Sequence, residues 1–523
     1  MGSIGGYFAF PFIFLVYCIA DGFLTRKLIR KQADKPFVGS PFTLTPRFIL
    51  NLLFAAKAVD IVERGYRKFK NRAFQLIRND GHVVLLPLSV LEELSNIPAT
   101  VASPNSALEH DLLGRYTGLN LILESRAHHS IVQRRLTPRL GLMTPRLEHE
   151  IKLACDDYLP NSRDWVQFQP YKALSKVSAR LAAQAIVTPD FSRNPTWLEI
   201  SVEYTENLFQ TIVLARLFPT WMQSFICYFL PSFWKCKKYL RKAKQLLGPR
   251  IQELLRANDQ GIWKPQPNED DSNVLNWLVD TVKGRDRNPH TIAHVEVLVS
   301  LAAVHTTLLR MVNVLYDITE AGPSLAAELQ AEIEDVAKRS NVWDKSSYDS
   351  LHKLDSVLSE SQRMSPPTTL GMKRMFYEEY TFQNGLHIPK GTYTAMPIYA
   401  IENDPEYTSN PETFDGLRNY RLMLEQQAID GDGGDGGDDA RKFRFSTPGR
   451  TVLNFGYGRH ACPGRHFASL VLKILFVKLL TEYEFKFLPG SKRPRNLMAH
   501  EFLFAWPWDG MLMRRKSEGK CPF

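Results

Sequence analysis

A mainly α fold, with a smaller β-rich region and an N-terminal membrane anchor, is the class that this sequence predicts. Three stretches predict it. Pro289 to Ala321 reads as one long helix whose middle, Val295 to Val304, is apolar on nearly every side apart from Glu296 and Ser300, so it lies inside the protein. Arg465 opens a second long apolar helix directly after a glycine-studded loop, Phe455 to Gly464, that carries one cysteine. Tyr7 to Leu24, YFAFPFIFLVYCIADGFL, is apolar and long enough to cross a bilayer once.

The 523 residues exceed a typical single core, so length alone suggests several domains, yet no strong linker divides them. A hydrophobic content of 44% excludes a disordered chain. The net charge of +10 favours acidic surfaces of a membrane or a protein partner. Basic residues are scattered rather than grouped with aromatics in a nucleic-acid module, so no nucleic acid is expected to bind. Cys18, Cys155, Cys227, Cys236, Cys462 and Cys521 form no CxxC pair and no repeated spacing, which is cytosol-facing usage rather than a disulfide framework.

Taken in order, residues 1–31 are the anchor and its basic flank, Arg26, Lys27, Arg30 and Lys31, and the positive-inside bias puts the rest of the chain in the cytosol. No basic segment precedes the apolar run, which argues against a cleaved signal peptide. Gly6 stands where a myristoylation signal needs Ser or Thr. Residues 32–50, with Lys35-Pro36-Phe37-Val38-Gly39-Ser40-Pro41, read as a stiff hinge, and 51–523 as the globular part. His82 to Leu86 is a short β-rich run, and Thr381 to Met396 alternates strand-like runs with Asn384-Gly385 and Lys390-Gly391 turns. Leu217 to Trp234 has no charge and many aromatics; Pro219 and Pro231 interrupt it, so it reads as a hairpin dipping into a membrane interface rather than a second span. Leu351, Leu354, Val357 and Leu358 mark one face of a helix that carries Glu360 and Arg363 at i and i+3. Residues 430–439, DGDGGDGGDD, read as a flexible acidic insertion, because Arg441 falls where a calcium loop needs a bidentate Glu.

The chemistry concentrates in two places. In the cysteine loop, the helix N-terminus directs N–H groups and the positive end of its dipole at Cys462, which favours the thiolate, a ligand for soft or borderline metals including iron. Pro463 has no N–H, so donors to the sulfur are expected from Gly464 onwards. In the interior helix, Ala302-Ala303-Val304-His305-Thr306-Thr307 sets small residues before adjacent hydroxyls, letting a flat cofactor or dioxygen approach the backbone. A hydrolytic zinc site of His460, Cys462 and His466 has its ligands but no accompanying general base.

Phe455, Gly458, Cys462 and Gly464 occupy the anchor positions of the haem-ligand loop of the cytochrome P450 monooxygenases, which the stretch resembles. Three further segments fit that family in order: the AAVHTT run, Glu360-Ser361-Gln362-Arg363 as its ExxR pair, and Phe414 to Arg418, which supplies Arg418 as third member of a structural network. The resemblance implies one large helical catalytic domain and haem b with its iron ligated by Cys462. His460 stands where the family usually has an arginine on a haem propionate, with Arg459 just before it; Arg134 or Arg135 is a second propionate candidate. It also implies that Thr306 helps deliver protons to oxygen, with His305 in place of the usual acid, and that Thr368, Thr369, Leu370 and the aromatics of Glu501 to Trp506 face the substrate.

The implied activity is monooxygenation of a lipophilic small molecule, of the terpenoid or related fungal secondary-metabolite kind. Electrons would come from a membrane-bound NADPH-cytochrome P450 reductase, with cytochrome b5 as a second donor, since no flavin or NADPH domain fits in this length. The expected place is the endoplasmic reticulum membrane, single-pass, with the catalytic domain in the cytosol. Two other readings are a haem-thiolate isomerase or dehydratase needing no reductase, against which Thr306 argues, and a membrane-tethered haem sensor.

Overall fold

A computed structural model describes residues 5–31, 34–39, 45–78, 81–125, 127–430 and 440–523. The acidic insertion and part of the expected hinge lie outside them. Helices dominate, and the interior helix has the bounds read from the sequence, Pro289–Ala321. Local chemistry sets both ends. The Asn288 side chain accepts from the His290 and Thr291 N–H groups, Pro289 sits in the first turn, and Gly322 follows the last residue at a φ of +91°. Helices Pro170–Ile186, Pro195–Ala215, Pro231–Asp259 and His352–Met364 pack around it. Among the described residues it is the helix long and apolar enough to cross a membrane, but it is a core helix, with 78% of its apolar window buried in protein.

The strands are β1 (Phe74–Arg78), β2 (Gly81–Leu85), β3 (Ala102–Ser103), β4 (Val166–Phe168), β5 (Gly371–Phe376), β6 (Tyr380–Thr381), β7 (His387–Ile388), β8 (Tyr393–Met396), β9 (Tyr483–Phe487), β10 (Leu497–Ala499), β11 (Phe502–Phe504) and β12 (Met511–Arg515). The main sheet runs β1-β2-β8-β5-β3, with β2 and β8 parallel and the other pairs antiparallel. The expected Asn-Gly turn joins β6 to β7, with Gly385 at a φ of +82°.

Three segments show contacts that sequence alone does not give. The hinge is tied down where it is described: Val38 N donates to Gln75 O and Gln75 N to Pro36 O, both at 2.9 Å, so the chain runs as a short parallel strand along β1. The next helix is Arg47–Lys68, and Asp21, in the helix Gly5–Lys31, receives its N-terminus: Oδ2 accepts from Arg47 N at 2.6 Å and Oδ1 from Arg47 Nε at 3.2 Å. Pro219 and Pro231 break the aromatic run as expected, and each stands at a helix start: Pro219 just before Thr220–Phe229 and Pro231 as the first residue of Pro231–Asp259, where a missing N–H costs nothing. The shorter helix leaves Trp221, Phe225, Tyr228 and Phe229 each more than 60% exposed.

The helix Arg465–Glu482 is buried along almost its whole length, and Lys473 within it is neutralised inside the protein. Its Nζ donates to Asp355 Oδ2 at 2.7 Å and to Tyr348 O at 2.8 Å. Asp355→Asn leaves that ammonium without its counter-charge and should cost about 3 kcal/mol, while Lys473→Met added to it should restore most of the loss. Thermal unfolding of the wild type, both single variants and the double variant checks this.

Candidate active site

Phe455 to Gly464 closes on itself before the helix begins. Cys462 N donates to Phe455 O at 2.7 Å, and the Phe455 ring meets Phe445 edge-on at 5.1 Å between centroids. Gly456 is required by this closure: at a φ of +75°, a Cβ there would stand 2.9 Å from His460 O. Gly458, also left-handed, lies against Ser95. The N–H groups of Gly464 and Arg465 and the charge of Arg465 favour the Cys462 thiolate, but burial outweighs them and pushes the thiol up. The helix terminus thus sets two N–H groups and one positive charge at the sulfur, as expected for a thiolate ligand.

The loop is fastened from behind by Glu402, whose carboxylate accepts from Leu453 N, Asn454 N and Asn454 Nδ2 at 2.5 to 3.0 Å. The adjacent Asn403 accepts from Arg363. Arg363 donates to both oxygens of Glu360, at 2.7 and 2.9 Å, and to Pro411 O at 2.8 Å; Arg418 reaches the same carboxylate at 3.2 and 3.3 Å. Burial raises the Glu360 carboxyl, yet Arg363 and then Arg418 more than offset it and hold it below its ordinary value. The three residues paired from the sequence therefore meet in one buried network, one residue from the support of the cysteine loop. Glu402 was not legible, because a lone acid after an apolar turn has no pattern.

His460 and Arg459 line one cavity. Arg459 is exposed and donates to Asn96 O at 2.8 Å, fastening the loop to the helix Leu91–Asn96. His460, half-buried, borders a cavity of about 300 Å³ with His128, His129, Arg134 and Ser103. Burial, then Arg374, Arg459 and His129, push it down to about 4. Of the two arginines left open, Arg134 lines this cavity, whereas Arg135 lies 3.6 Å from Asp280. The zinc reading is overturned: among the described residues no group of three such side chains converges, and His466 lines a different cavity with Lys473 and Arg444.

The residues present fit the flat dianionic group that the resemblance implies. On β5, alternation places Met372, Arg374 and Phe376 on the buried side. Arg374 is 1% exposed, its Nε and Nη2 have no partner, and burial pulls it down to about 10. A buried guanidinium without a carboxylate is costly unless a ligand supplies one. Its electrostatic influence on His460 puts it beside the loop, so Arg374 belongs to the site although no sequence motif singles it out. An Arg at an inward strand position was the available signal.

On the interior helix, Ala302 and Thr306 are exposed amid buried neighbours, so this stripe carries no protein packing; Thr306 Oγ1 donates to Ala302 O at 2.6 Å. His305 turns elsewhere, to Tyr171 and Glu206. Thr369 and Leu370 are fully buried, and Thr369 N donates to Glu501 O at 2.8 Å, which ties it to the C-terminal hairpin; Thr368 bridges Phe502. Phe502 and Phe504 of β11 meet Phe209 edge-on at 5.8 and 5.6 Å. Burial raises the Glu501 carboxyl, but Arg216, Lys373 and Arg78 hold it well below its ordinary range.

Glu402 has the opposite balance. Burial pushes it up to about 8 against the Leu453 and Asn454 N–H groups, Arg363 and Arg310. Folded protein therefore keeps a proton that the unfolded chain, near 4.5, has released. Its contribution to stability is complete below about pH 4.5 and is lost as pH rises through about 8. Glu402→Gln should flatten the fall in urea midpoint between about pH 5 and 8.

The family model for cytochrome P450 matches residues 73–510. The chain is 36% identical over 490 residues to a cytochrome P450 monooxygenase, AN1598, of Emericella nidulans, covering 93% of this chain and 88% of that protein. It is 34% identical over 461 residues to cytochrome P450 monooxygenase AtmP of Aspergillus flavus, covering 87% and 84%. An ent-kaurene oxidase of Gibberella intermedia is 29% identical over 487 residues, covering 92% and 88%. With its matched domain and these relatives, the chain belongs to the cytochrome P450 family, monooxygenases whose haem iron is ligated by a cysteine.

Proposed function

We propose that this enzyme hydroxylates or otherwise oxidises a lipophilic small molecule of the terpenoid class, with Cys462 as the axial ligand of haem b. The observation that carries the reading is the Cys462 loop, closed by Phe455 O and facing the Gly464 and Arg465 N–H groups. Haem so bound supplies the activation of dioxygen for insertion into an unactivated C–H bond, at the expense of electrons and protons from outside. Arg374, Arg134 and His460 would hold its carboxylates. Thr306 presents a hydroxyl oxygen on the one unpacked stripe of the interior helix, in place to hold a proton there.

Support for the substrate class is twofold. Phe209, Phe502 and Phe504 offer ring edges and an apolar wall, suited to a hydrocarbon skeleton. A relative of similar length is named for oxidising ent-kaurene, a terpenoid hydrocarbon. Electrons would come from NADPH-cytochrome P450 reductase, with cytochrome b5 as a second donor. A place on the endoplasmic reticulum, anchored once through residues 1–31, agrees with the exposed aromatics of Thr220–Phe229 and with Lys237 stacked on Phe233 and Trp234, an arrangement suited to lipid headgroups.

Feeding terpenoid hydrocarbons to cells expressing the enzyme with a reductase, followed by product mass analysis under labelled dioxygen, should give oxygenated products that require both NADPH and oxygen. Turnover without oxygen would overturn the reading. Cys462→Ala should abolish the long-wavelength Soret band of the reduced carbon monoxide complex. Arg374→Gln should keep that band and release haem to an apo-globin acceptor about tenfold faster, the loss of one charge-assisted contact.

A further inference from the structure

The cysteine loop is gripped from outside as well as from behind, and the grip comes from the helix Leu91–Asn96. That helix is itself fixed. Leu91 and Leu94 are fully buried in a cluster that includes Ile401 and Leu453, and the Glu93 carboxylate accepts from Tyr380 Oη at 2.8 Å and from Gln383 N at 3.1 Å. Its outer side meets three consecutive loop residues: Glu92 Oε1 accepts from Tyr457 Oη at 2.6 Å, Ser95 lies against Gly458, and Asn96 O accepts from Arg459. Arg450 Nε stands 3.6 Å from the same Glu92 oxygen. The bond to Glu92, ahead of burial, raises the Tyr457 hydroxyl, so it stays a donor. What is gripped leads straight to the sulfur: Tyr457 O accepts from His460 N at 3.3 Å, Gly458 O from Ala461 N at 3.2 Å, and Cys462 N closes on Phe455 O.

We propose that Glu92 and Tyr457 are positioning residues for the Cys462 sulfur, a two-residue clamp that keeps the turn Gly458–His460 closed. The inference rests on the reading of Cys462 as the axial ligand. Its physical basis is the pair of glycines on either side of Tyr457. Gly456 and Gly458 both take left-handed backbone, at φ of +75° and +59°, and glycine leaves the chain free to move away from such a conformation. Glu402 holds Leu453 and Asn454, ahead of both glycines, so a hold on what lies between them has to come from another direction. Tyr457 carries the side chain of that stretch: its ring packs on the cluster that buries Leu91 and Leu94, and its hydroxyl ends on a carboxylate, the stronger kind of acceptor. Glu92 is 52% exposed, so the bond adds little to global stability. Its effect falls on local opening of the loop, which moves the acceptors of His460 and Ala461, the two residues just before the ligand.

Full-length holoenzyme tests this with Tyr457→Phe, which removes a single oxygen atom, with Glu92→Ala, and with the two together. Amide hydrogen exchange over residues 455–462, read by mass spectrometry, should be about fivefold faster in each single variant, and unchanged in the rest of the chain. On mild warming, the long-wavelength Soret band of the reduced carbon monoxide complex should be lost about fivefold faster, while the urea midpoint of global unfolding stays at the wild-type value. The double variant should match Glu92→Ala, because both substitutions remove the same bond. Wild-type exchange in Tyr457→Phe, a double variant as fast as the product of the two singles, or exchange raised evenly along the chain overturns the proposal. If the wild type itself shows no such band, the axial-ligand reading fails instead, and the exchange measurement still decides whether Glu92 and Tyr457 hold the loop.

Discussion

A cysteine sulfur held at the start of a buried helix, against the cost of its own burial, is the constraint on which the rest of the structure depends. The sulfur cannot be positioned by its own side chain, so the backbone does it: Cys462 N binds Phe455 O, and Gly456 takes a conformation closed to other residues. That loop has little apolar surface of its own to bury. Its rigidity is borrowed through Glu402 from Asn403, and through Asn403 from Arg363, Glu360 and Arg418. Removing Glu360 leaves the Arg363 and Arg418 guanidinium groups without the carboxylate they share, which is why the network behaves as a unit.

A second group of buried ions does comparable work on the far side of the site. Glu501, just before β11, accepts from Arg78 of β1 and from Arg216 after the helix Pro195–Ala215, and pairs with Lys373 of β5. Phe502 lies under two of these cations, 5.8 Å from Arg216 and 5.6 Å from Lys373. The aromatic wall is therefore fixed by charge at its base. The neighbouring Thr220–Phe229 helix, which buries only Gln223 and Cys227, is held far more loosely.

How much of the fold and site was legible in the sequence depends on how local the determining chemistry is. The interior helix could be bounded to the residue because Asn288, Pro289 and Gly322 act within one turn of its ends. Glu360, Arg363 and Arg418 could be paired because a resemblance supplied the long-range contact that spacing alone does not. Arg374 and Glu402 escaped because their meaning lies in partners far along the chain. His305 was placed beside Thr306 in sequence, but helical geometry separates their directions. Pro219 and Pro231 could be read as breaks in the run, and the structure adds that each stands at a beginning, since a proline disfavours a helix interior and suits a helix start equally well.

The contact of Asp21 with Arg47 has a practical side. A tether joined through a loose linker can be cut anywhere along it, but here the carboxylate that receives the first N–H of Arg47–Lys68 belongs to the preceding helix. Soluble versions trimmed at residue 31 would discard that acceptor and leave the front of the globule frayed, whereas a cut placed before Asp21 removes the most apolar stretch and keeps it. The same junction joins the two helices through an ion pair rather than a swivel.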